Sequence, residues 1–152
     1  MLFSMPTLAT NKQAHFNYDI ISQYEAGLVL TGAEVKAIKK SMISLKGAYI
    51  THQNNELWLK NCLISPYQIK NQSGYDPYNL RKILLKRSEI DSLMGKIKEK
   101  GLTLLPINVY TKKALIKIKI GLARGRKLHD KRQAIKKRDL DRQIGRALRD
   151  KN

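Results

Sequence analysis

Apolar and polar side chains alternate in several short stretches of the chain, which is the pattern of half-buried β-strands. The alternation is clear over residues 16–20, 26–30, 48–53, 56–61, 105–109 and 116–120, and residues 81–85 form a further candidate strand. Asn54-Asn55 separates two of these strands and predicts a two-residue hairpin, because Asn tolerates the positive φ that such turns require. Lys117 and Lys119 alternate with isoleucines, which predicts a strand with one basic face.

Two short helices are predicted between the strands. Thr31 and Glu34 have the spacing of a capping box, in which each side chain accepts a hydrogen bond from the other residue's backbone amide. A second helix has apolar residues at 90, 93, 94 and 97, with Ser88 as its predicted cap and Gly101 as its stop. Residues 65–82 show no clear period and are predicted to be irregular.

This order of elements predicts a mainly β fold, an OB-like antiparallel barrel of about six strands with short helices. A parallel α/β fold is disfavoured, because crossover helices are missing between most strands. We expect a flexible N-terminus over residues 1–10, the barrel over 11–123, and a basic C-terminal tail over 124–152.

Charge separates the tail from the body. The chain has 30 Lys and Arg against 12 Asp and Glu, and residues 121–152 hold 12 of the cations against 4 acids. This segment lacks aromatic residues and has a broken apolar period, so it is predicted to be disordered alone and helical from about Asp130 on a partner. The charge favours a polyanion, since neutralising phosphates releases condensed counterions, although ribosomal and membrane-surface proteins share this composition.

Enzyme chemistry is not indicated. His15, His52 and His129 lie far apart and pair with no Cys or carboxylate at ligand spacing, so no metal site is predicted. There is no phosphate-binding glycine-rich loop, and no apolar run approaches the roughly 20 residues of a membrane span. Cys62 stands alone and cannot form an internal disulfide. We expect a cytoplasmic protein with no cofactor and no membrane partner.

Two groups of side chains have open interpretations. Glu25 is either a solvated edge residue, which the pattern alone favours, or a carboxylate that orients a cation or accepts a hydrogen bond from RNA. Glu34 is most economically a cap. Tyr67, Tyr75 and Tyr78 either stack on bases or pack with their hydroxyls in water, and the two readings are evenly balanced.

Seven segments resemble the SsrA-binding protein (small protein B) family, in the family's order and across residues 11–150. They are Asn11-Lys-Gln-Ala-His15, Tyr24-Glu-Ala-Gly27, Leu30-Thr-Gly-Ala-Glu-Val-Lys36, Ile64-Ser-Pro-Tyr67, Arg81-Lys-Ile-Leu-Leu85, Gly101-Leu-Thr-Leu-Leu-Pro106 and Gly121-Leu-Ala-Arg-Gly-Arg-Lys-Leu-His-Asp-Lys-Arg132. Each alone is weak, but their combination is highly specific.

The resemblance implies a monomeric OB-like barrel that binds the tRNA-like domain of transfer-messenger RNA. The pair would enter a stalled 70S ribosome for trans-translation, in which the RNA encodes a degradation tag for the nascent chain. Elongation factor Tu would take part indirectly, through the charged RNA. A structural component of the ribosome and an RNA-processing enzyme are the alternatives.

The resemblance, with the cations beside the 65–82 loop, also predicts site residues. RNA contacts are expected from Glu25, Arg81, Lys82, Leu84, Lys86, Gly125, Arg126 and Lys127. Contacts with the small-subunit decoding centre and mRNA channel are expected from His129, Asp130, Lys131, Arg132, Lys136, Lys137 and Arg138. Relatives commonly carry His or Asn in place of Lys86, so a base-edge contact is expected to become a phosphate contact there.

Overall fold

A computed structural model describes residues 6–68, 74–126 and 128–150, which form nine strands and four helices. The strands are β1 Thr7–Thr10, β2 Tyr18–Leu28, β3 Ile43–Ser44, β4 Tyr49–Gln53, β5 Glu56–Lys60, β6 Leu63–Ile64, β7 Arg81–Leu84, β8 Thr103–Lys112 and β9 Leu115–Gly125. The helices are α1 Ala14–Asn17, α2 Gly32–Lys39, α3 Arg87–Lys100 and α4 Leu128–Asp150.

Seven strands form one antiparallel sheet in the order β1-β8-β9-β2-β7-β5-β4, and β3 pairs with β6 in a separate ribbon. The mainly β, antiparallel fold is therefore confirmed. The hydrogen-bonded order is that of an open sheet of seven strands, with β1 and β4 at its edges, whereas an OB-like barrel of about six strands is predicted.

Most of the predicted turns and helix caps are present in the structure. Thr31 and Glu34 form the predicted capping box at the start of α2, and Asn54 and Asn55 both have positive φ in the β4–β5 hairpin. Gly101 ends α3 in the left-handed conformation. The predicted Ser88 cap is wrong, because α3 begins two residues earlier than that cap implies, with Lys86 at its N-cap and no side-chain cap bond.

The main core lies on one face of the sheet. It contains Leu57 and Leu59 from β5 and Ile83 from β7, all completely or almost completely buried. The isoleucines of β9 also point into it, including the fully buried Ile118 and Ile120. The alternating lysines of β9 therefore lie on the opposite face, called the outer face below, as the period of two requires.

The prediction for the N-terminus differs from the structure. Residues 7–10 are predicted to be flexible, but they form β1, in which Thr10 pairs with Asn108 of β8. The pairing is favoured because it covers backbone groups at the exposed edge of β8. Residues 1–5 lie outside the described residues.

The junction between body and tail also differs from the prediction. β9 continues to Gly125, which pairs with Tyr18, so the body extends beyond the predicted boundary after residue 123. The tail forms the continuous helix α4 in the structure, where the sequence predicts a helix from about Asp130 on a partner. Its apolar residues at 140, 144 and 148 recur at one helical turn, which favours a helix despite the weaker overall period.

Candidate nucleic-acid interface

The register of the sheet places four residues in one row across the outer face. Tyr110 of β8 lies opposite Lys117 of β9, Lys117 lies opposite Gly27 of β2, and Gly27 lies opposite Leu84 of β7. Glu25 lies opposite Lys119 in the next row. Residues that are 85 positions apart in sequence, such as Glu25 and Tyr110, thereby share one surface.

Glu25 is held in place by two donors. The Tyr110 hydroxyl donates a short hydrogen bond to Glu25 Oε2, and Lys112 Nζ lies 3.3 Å from Glu25 Oε1. The Tyr110 hydrogen bond, assisted by the nearby lysines, outweighs desolvation and lowers the pKa of the Glu25 carboxyl. The carboxylate therefore stays ionised at neutral pH, with its side chain still about a third exposed. Its interpretation as a simple solvated edge residue does not describe this arrangement.

Cations surround this carboxylate. Lys119 Nζ lies 5.7 Å from the centre of the Tyr110 ring, and Lys112 and Lys117 both act on the charge of Glu25. Lysines on such a face can attract phosphate, and an ionised carboxylate can accept hydrogen bonds from base edges or ribose hydroxyls. The arrangement fits a structured RNA better than an unspecific polyanion, for which a central carboxylate would be unfavourable.

Leu84 supplies an exposed apolar spot beside these charges. Its side chain is 47% exposed, and it lies across Gly27 at a point where an added Cβ would be 3.4 Å from Leu84 Cβ. A Cβ at position 27 would therefore come into ordinary van der Waals contact with Leu84. An aliphatic side chain in a basic surface offers a contact for the apolar face of a base.

Lys82 and Lys86 lie two residues before and two residues after Leu84 in the sequence. Lys82 lies on β7 and forms a 2.9 Å ion pair with Glu56 of the neighbouring strand. Lys86 is exposed at the N-cap of α3. Both side chains are accessible to solvent, so either can meet a phosphate.

Arg81 does not belong to this surface, and the predicted RNA contact from it is not supported by its position. Its side chain is 1% exposed and its guanidinium points into the protein. Arg81 Nη2 and Nε donate to Glu34 Oε2 at 2.6 and 2.8 Å, and Arg81 Nη1 donates to the Cys62 carbonyl at 2.7 Å. Alternation along β7 explains this, because Arg81 and the core residue Ile83 point to one face and Lys82 and Leu84 to the other.

Tyr75 completes the buried network. Its hydroxyl accepts from Arg81 Nη2 at 3.0 Å and lies 3.0 Å from Glu34 Oε2 and 2.9 Å from the Ile64 carbonyl. Burial and the Glu34 charge raise the pKa of Tyr75 to about 12. Burial also raises the pKa of the Glu34 carboxyl, but hydrogen bonds from Thr31 and Arg81 and the guanidinium charge together hold it below its ordinary value.

The three loop tyrosines therefore divide between the two interpretations. Tyr75 is a packing residue with a satisfied hydroxyl. Tyr67 packs partly buried against the core, with Lys40 Nζ 5.0 Å and Lys36 Nζ 5.8 Å from its ring centre. Tyr78 is 51% exposed and remains available for stacking on a base.

The body–tail junction is tied to the start of β2. Arg126 Nε lies 2.9 Å from Asp19 Oδ1, and the Arg126 amide donates to the Asn17 carbonyl at 2.9 Å. Gly125 precedes it at the end of β9, with no atom within 4 Å of where a Cβ would lie. Lys127, also predicted to bind RNA, lies outside the described residues.

The tail residues predicted to contact the ribosome all lie in α4. The backbone of His129, Asp130 and Lys131 belongs to its first turn, and their side chains lie outside the described residues. The remaining cations are exposed: Arg132, Lys136, Lys137 and Arg138. Leu140, Ile144 and Leu148 form an exposed apolar ridge at one-turn spacing along the same helix.

Sequence reasoning misses the residues that hold Glu25. Tyr110 and Lys112 are not among the predicted site residues, because only strand pairing brings them to β2. Lys117 and Lys119 are indicated by the sequence, because their strand is predicted to have one basic face.

Among the described residues, no three of His, Cys, Asp or Glu cluster as metal ligands, and no helix is long and apolar enough to cross a membrane.

Comparison with known proteins gives a consistent result. The family described as "SmpB protein" matches residues 8–150. An SsrA-binding protein of Sulfurihydrogenibium sp. (strain YO3AOP1) is 44% identical over 148 residues, 97% of each chain. One from Gloeothece citriformis (strain PCC 7424) is 47% identical over 143 residues, 93% of this chain and 92% of the relative.

A solved structure is also similar. It is described as "tmRNA-SmpB: a journey to the center of the bacterial ribosome", and one of its chains matches with a TM-score of 0.65 and 36% identity. The match covers 83% of this chain and 92% of that one. Sequence and fold agree over nearly the whole length, and the chain belongs to the SmpB protein family.

Proposed function

We propose that this chain binds the tRNA-like domain of transfer-messenger RNA and delivers it to stalled ribosomes for trans-translation. The observation that carries the proposal is its 36% identity and shared fold with a chain of the tmRNA–SmpB structure. The ionised Glu25 among lysines supports it independently, because such a face suits a folded RNA with both phosphates and donor groups.

The body recognises the RNA in this proposal. Glu25 accepts from a base edge or ribose hydroxyl, Leu84 contacts a base, and Lys82 and Lys86 contact phosphates. Gly125, Arg126 and Lys127 add RNA contacts where the body meets the tail. Arg81 acts from inside the protein, by holding β7 in place behind Leu84.

The tail contacts the ribosome in this proposal. At 1.5 Å per residue, the 23 residues of α4 span roughly 35 Å, a length suited to the path of a message. Its cations, including Arg132, Lys136, Lys137 and Arg138, would face the phosphates of the decoding centre and mRNA channel. His129, Asp130 and Lys131 would enter with the first turn.

The same proposal covers the cellular setting and the finer fold. We infer a cytoplasmic monomer that acts by binding and not by catalysis, with elongation factor Tu joining through the charged RNA. We also infer an OB-like closure of the sheet. Its support is the approach of β4 to β8, although no hydrogen-bonded ladder joins these strands in the described residues.

The decisive experiment identifies the RNA that the protein carries. The full chain is purified from its own cells and the bound RNA is sequenced. A single dominant RNA with a tRNA-like end is the expected result, whereas a general mixture of ribosomal RNA would instead support a structural ribosomal protein. Magnesium-dependent cleavage of the RNA would support a processing enzyme.

Truncation then separates the two halves of the proposal. The cut belongs after Arg126, because an earlier cut after Leu122 would remove the fully buried Ala123 and damage the body. The truncated protein should bind transfer-messenger RNA nearly as well as the full chain and should fail to rescue stalled ribosomes. Equal loss of both activities would contradict the division of labour.

A further inference from the structure

Glu25 and Tyr110 meet across an intervening strand. Glu25 lies on β2 and Tyr110 on β8, and β9 separates these two strands in the sheet. The Tyr110 side chain therefore extends over β9 on the outer face, where its hydroxyl donates to Glu25 Oε2. Lys119 of β9 lies beside the pair, with its Nζ 5.7 Å from the centre of the tyrosine ring. Tyr110 is only 4% exposed, so packing fixes the position of its hydroxyl.

The two carboxylate oxygens of Glu25 have unequal partners. Oε2 accepts from Tyr110, whose pKa is raised by burial and by the hydrogen bond to Glu25, so the hydroxyl keeps its proton and stays a donor. Oε1 has Lys112 Nζ at 3.3 Å, and both side chains of this ion pair are more than a third exposed. An exposed pair of this kind is weak and exchanges readily with other partners.

An RNA donor would meet these two oxygens differently. To bind Oε2 it would have to displace a buried hydroxyl and leave that hydroxyl without a partner, which is costly. To bind Oε1 it has only to replace an exposed ammonium group, which water then solvates. The second oxygen is therefore a site for one donor, and RNA presents two suitable kinds, the exocyclic amines of bases and the ribose 2′-hydroxyl.

We propose that Tyr110 is a positioning residue that holds Glu25 with Oε1 facing the RNA, and that Lys112 occupies this oxygen until one amine or 2′-hydroxyl of the RNA replaces it. The exchange step rests on the proposed function, whereas the positioning step is a property of the free protein. The surface thereby has a preformed acceptor, because the carboxylate does not have to be ordered when the RNA arrives.

Carbon-13 NMR of the Glu25 carboxyl tests the positioning step without RNA. The full chain is labelled at its glutamate carboxyl carbons, and the Glu25 signal is identified by its absence from Glu25→Ala. The titratable groups around this carboxyl are Tyr110, Lys112, Lys117 and Lys119. The Tyr110 hydrogen bond lowers its pKa most, so Tyr110→Phe should move the titration midpoint up towards the ordinary value of 4.5. An unchanged midpoint would overturn the positioning step.

A double-mutant cycle tests whether Tyr110 acts on the RNA through Glu25. Tyr110→Phe keeps the ring and should weaken binding of transfer-messenger RNA roughly tenfold in the parent protein. In a Glu25→Ala background the same substitution should change the affinity by less than about twofold. Equal factors in the two backgrounds would make Tyr110 an independent contact or a folding residue, and would overturn the proposal.

Tyr24→Phe is the matched control for this cycle. Tyr24 neighbours Glu25 on β2, but its ring packs against the main core and its hydroxyl accepts from Ser22. Removal of this hydroxyl should leave the RNA affinity within about twofold of the parent value. A tenfold loss in the control would show that any tyrosine hydroxyl of this sheet affects binding, and would count against a specific role for Tyr110.

Nucleotide-analogue interference identifies the donor that replaces Lys112. Transfer-messenger RNA is transcribed with either 2′-deoxynucleotides or base analogues lacking the exocyclic amine at random positions, and the molecules that bind are sequenced. With the parent protein, one position should be depleted in one of the two sets, which distinguishes a ribose from a base donor. The depletion should vanish with Glu25→Ala and persist with Lys112→Gln.

Two results would overturn the exchange step. One is the absence, in both sets, of any depletion that depends on Glu25, and the other is loss of the depletion with Lys112→Gln. A parent protein that does not bind transfer-messenger RNA would instead count against the proposed function, and the carboxyl titration would still decide the positioning step.

Discussion

Arg81 Nη2 lies 2.6 Å from Glu34 Oε2, and both side chains are almost completely buried. The pair joins the first turn of α2 to β7, two elements that are far apart in sequence. The remaining polar atoms of the network are satisfied by Thr31, Tyr75 and the Cys62 carbonyl. Full satisfaction is what makes such a pair tolerable in a protein interior.

Replacement of Arg81 with Met should lower the free energy of unfolding by about 3–5 kcal/mol, because it leaves Glu34 buried without its cation. Urea unfolding followed by circular dichroism measures the change. Lys82→Gln is the matched control on the next residue, since it removes an exposed ion pair with Glu56 and should cost at most about 1 kcal/mol. Equal effects of the two substitutions would show that the Arg81 network is not structural.

Acid should weaken the same network. The folded-state pKa of Glu34 is below its ordinary value of 4.5, so the unfolded chain binds the extra proton as pH falls. The stabilisation from Glu34 is therefore complete above about pH 4.5 and is lost as pH drops through the folded-state pKa. The stability difference between the parent and Glu34→Gln should shrink between neutral and acidic pH in urea unfolding. A difference that stays constant would contradict the assignment.

Glu34 has one contact that the sequence predicts and another that it does not. Its capping role is visible from a spacing of three residues, because Thr31 and Glu34 are neighbours in any helix that starts there. Its partnership with Arg81 spans 47 residues and depends on which face of β7 the arginine occupies. The role of Tyr75 could not be predicted for the same reason. It is a packing residue because the tertiary fold places its loop beside α2.

Glu25→Gln should weaken binding of transfer-messenger RNA by about 1–3 kcal/mol without altering the salt dependence of the affinity, because the carboxylate makes no phosphate contact. Lys119→Gln, on the residue opposite Glu25 in the sheet, should instead reduce the slope of log K against log salt by about 1. Filter binding from 50 to 200 mM salt, over which the parent affinity should fall roughly 10³-fold, separates the two effects. A steeper slope with unchanged or tighter binding for Glu25→Gln would mean that this residue acts only through the charge of the face.

Gly121→Ala should destabilise the body by about 1–3 kcal/mol through overpacking. An added Cβ would lie 2.8 Å from Ile107 Cδ1 and 3.4 Å from Ile20 Cγ2, in the small core beneath α1. Ile107→Val removes the nearer atom, so the double variant should recover part of the loss in thermal unfolding. Failure of the second substitution to recover any stability would place the strain in the backbone and not in this contact.

The small core beneath α1 is also invisible in the sequence pattern. Residues 16–20 alternate like a strand, yet residues 16 and 17 belong to α1 and only residues 18–20 continue into β2. The helix forms because Asn11 and Ala14 dock on β8, a long-range contact that overrides the local period. By contrast, the β4–β5 hairpin and the end of α3 follow from Asn and Gly alone, because those turns need only their own backbone preferences.

Gly145→Ala tests whether α4 behaves as a separable helix. No heavy atom lies within 4 Å of the added Cβ, and Gly costs a helix interior about 1 kcal/mol relative to Ala, so helix content measured by circular dichroism should rise. The urea midpoint of the body should not change, whereas Gly95→Ala, in which the glycine of α3 is equally open, should raise that midpoint.

If α4 is the form that enters the ribosome, Gly145→Ala should also bind stalled ribosomes more tightly, because the binding reaction then loses less conformational entropy in ordering the tail. A gain in helix with weaker ribosome binding would indicate that the tail must bend at Gly145 in its functional state.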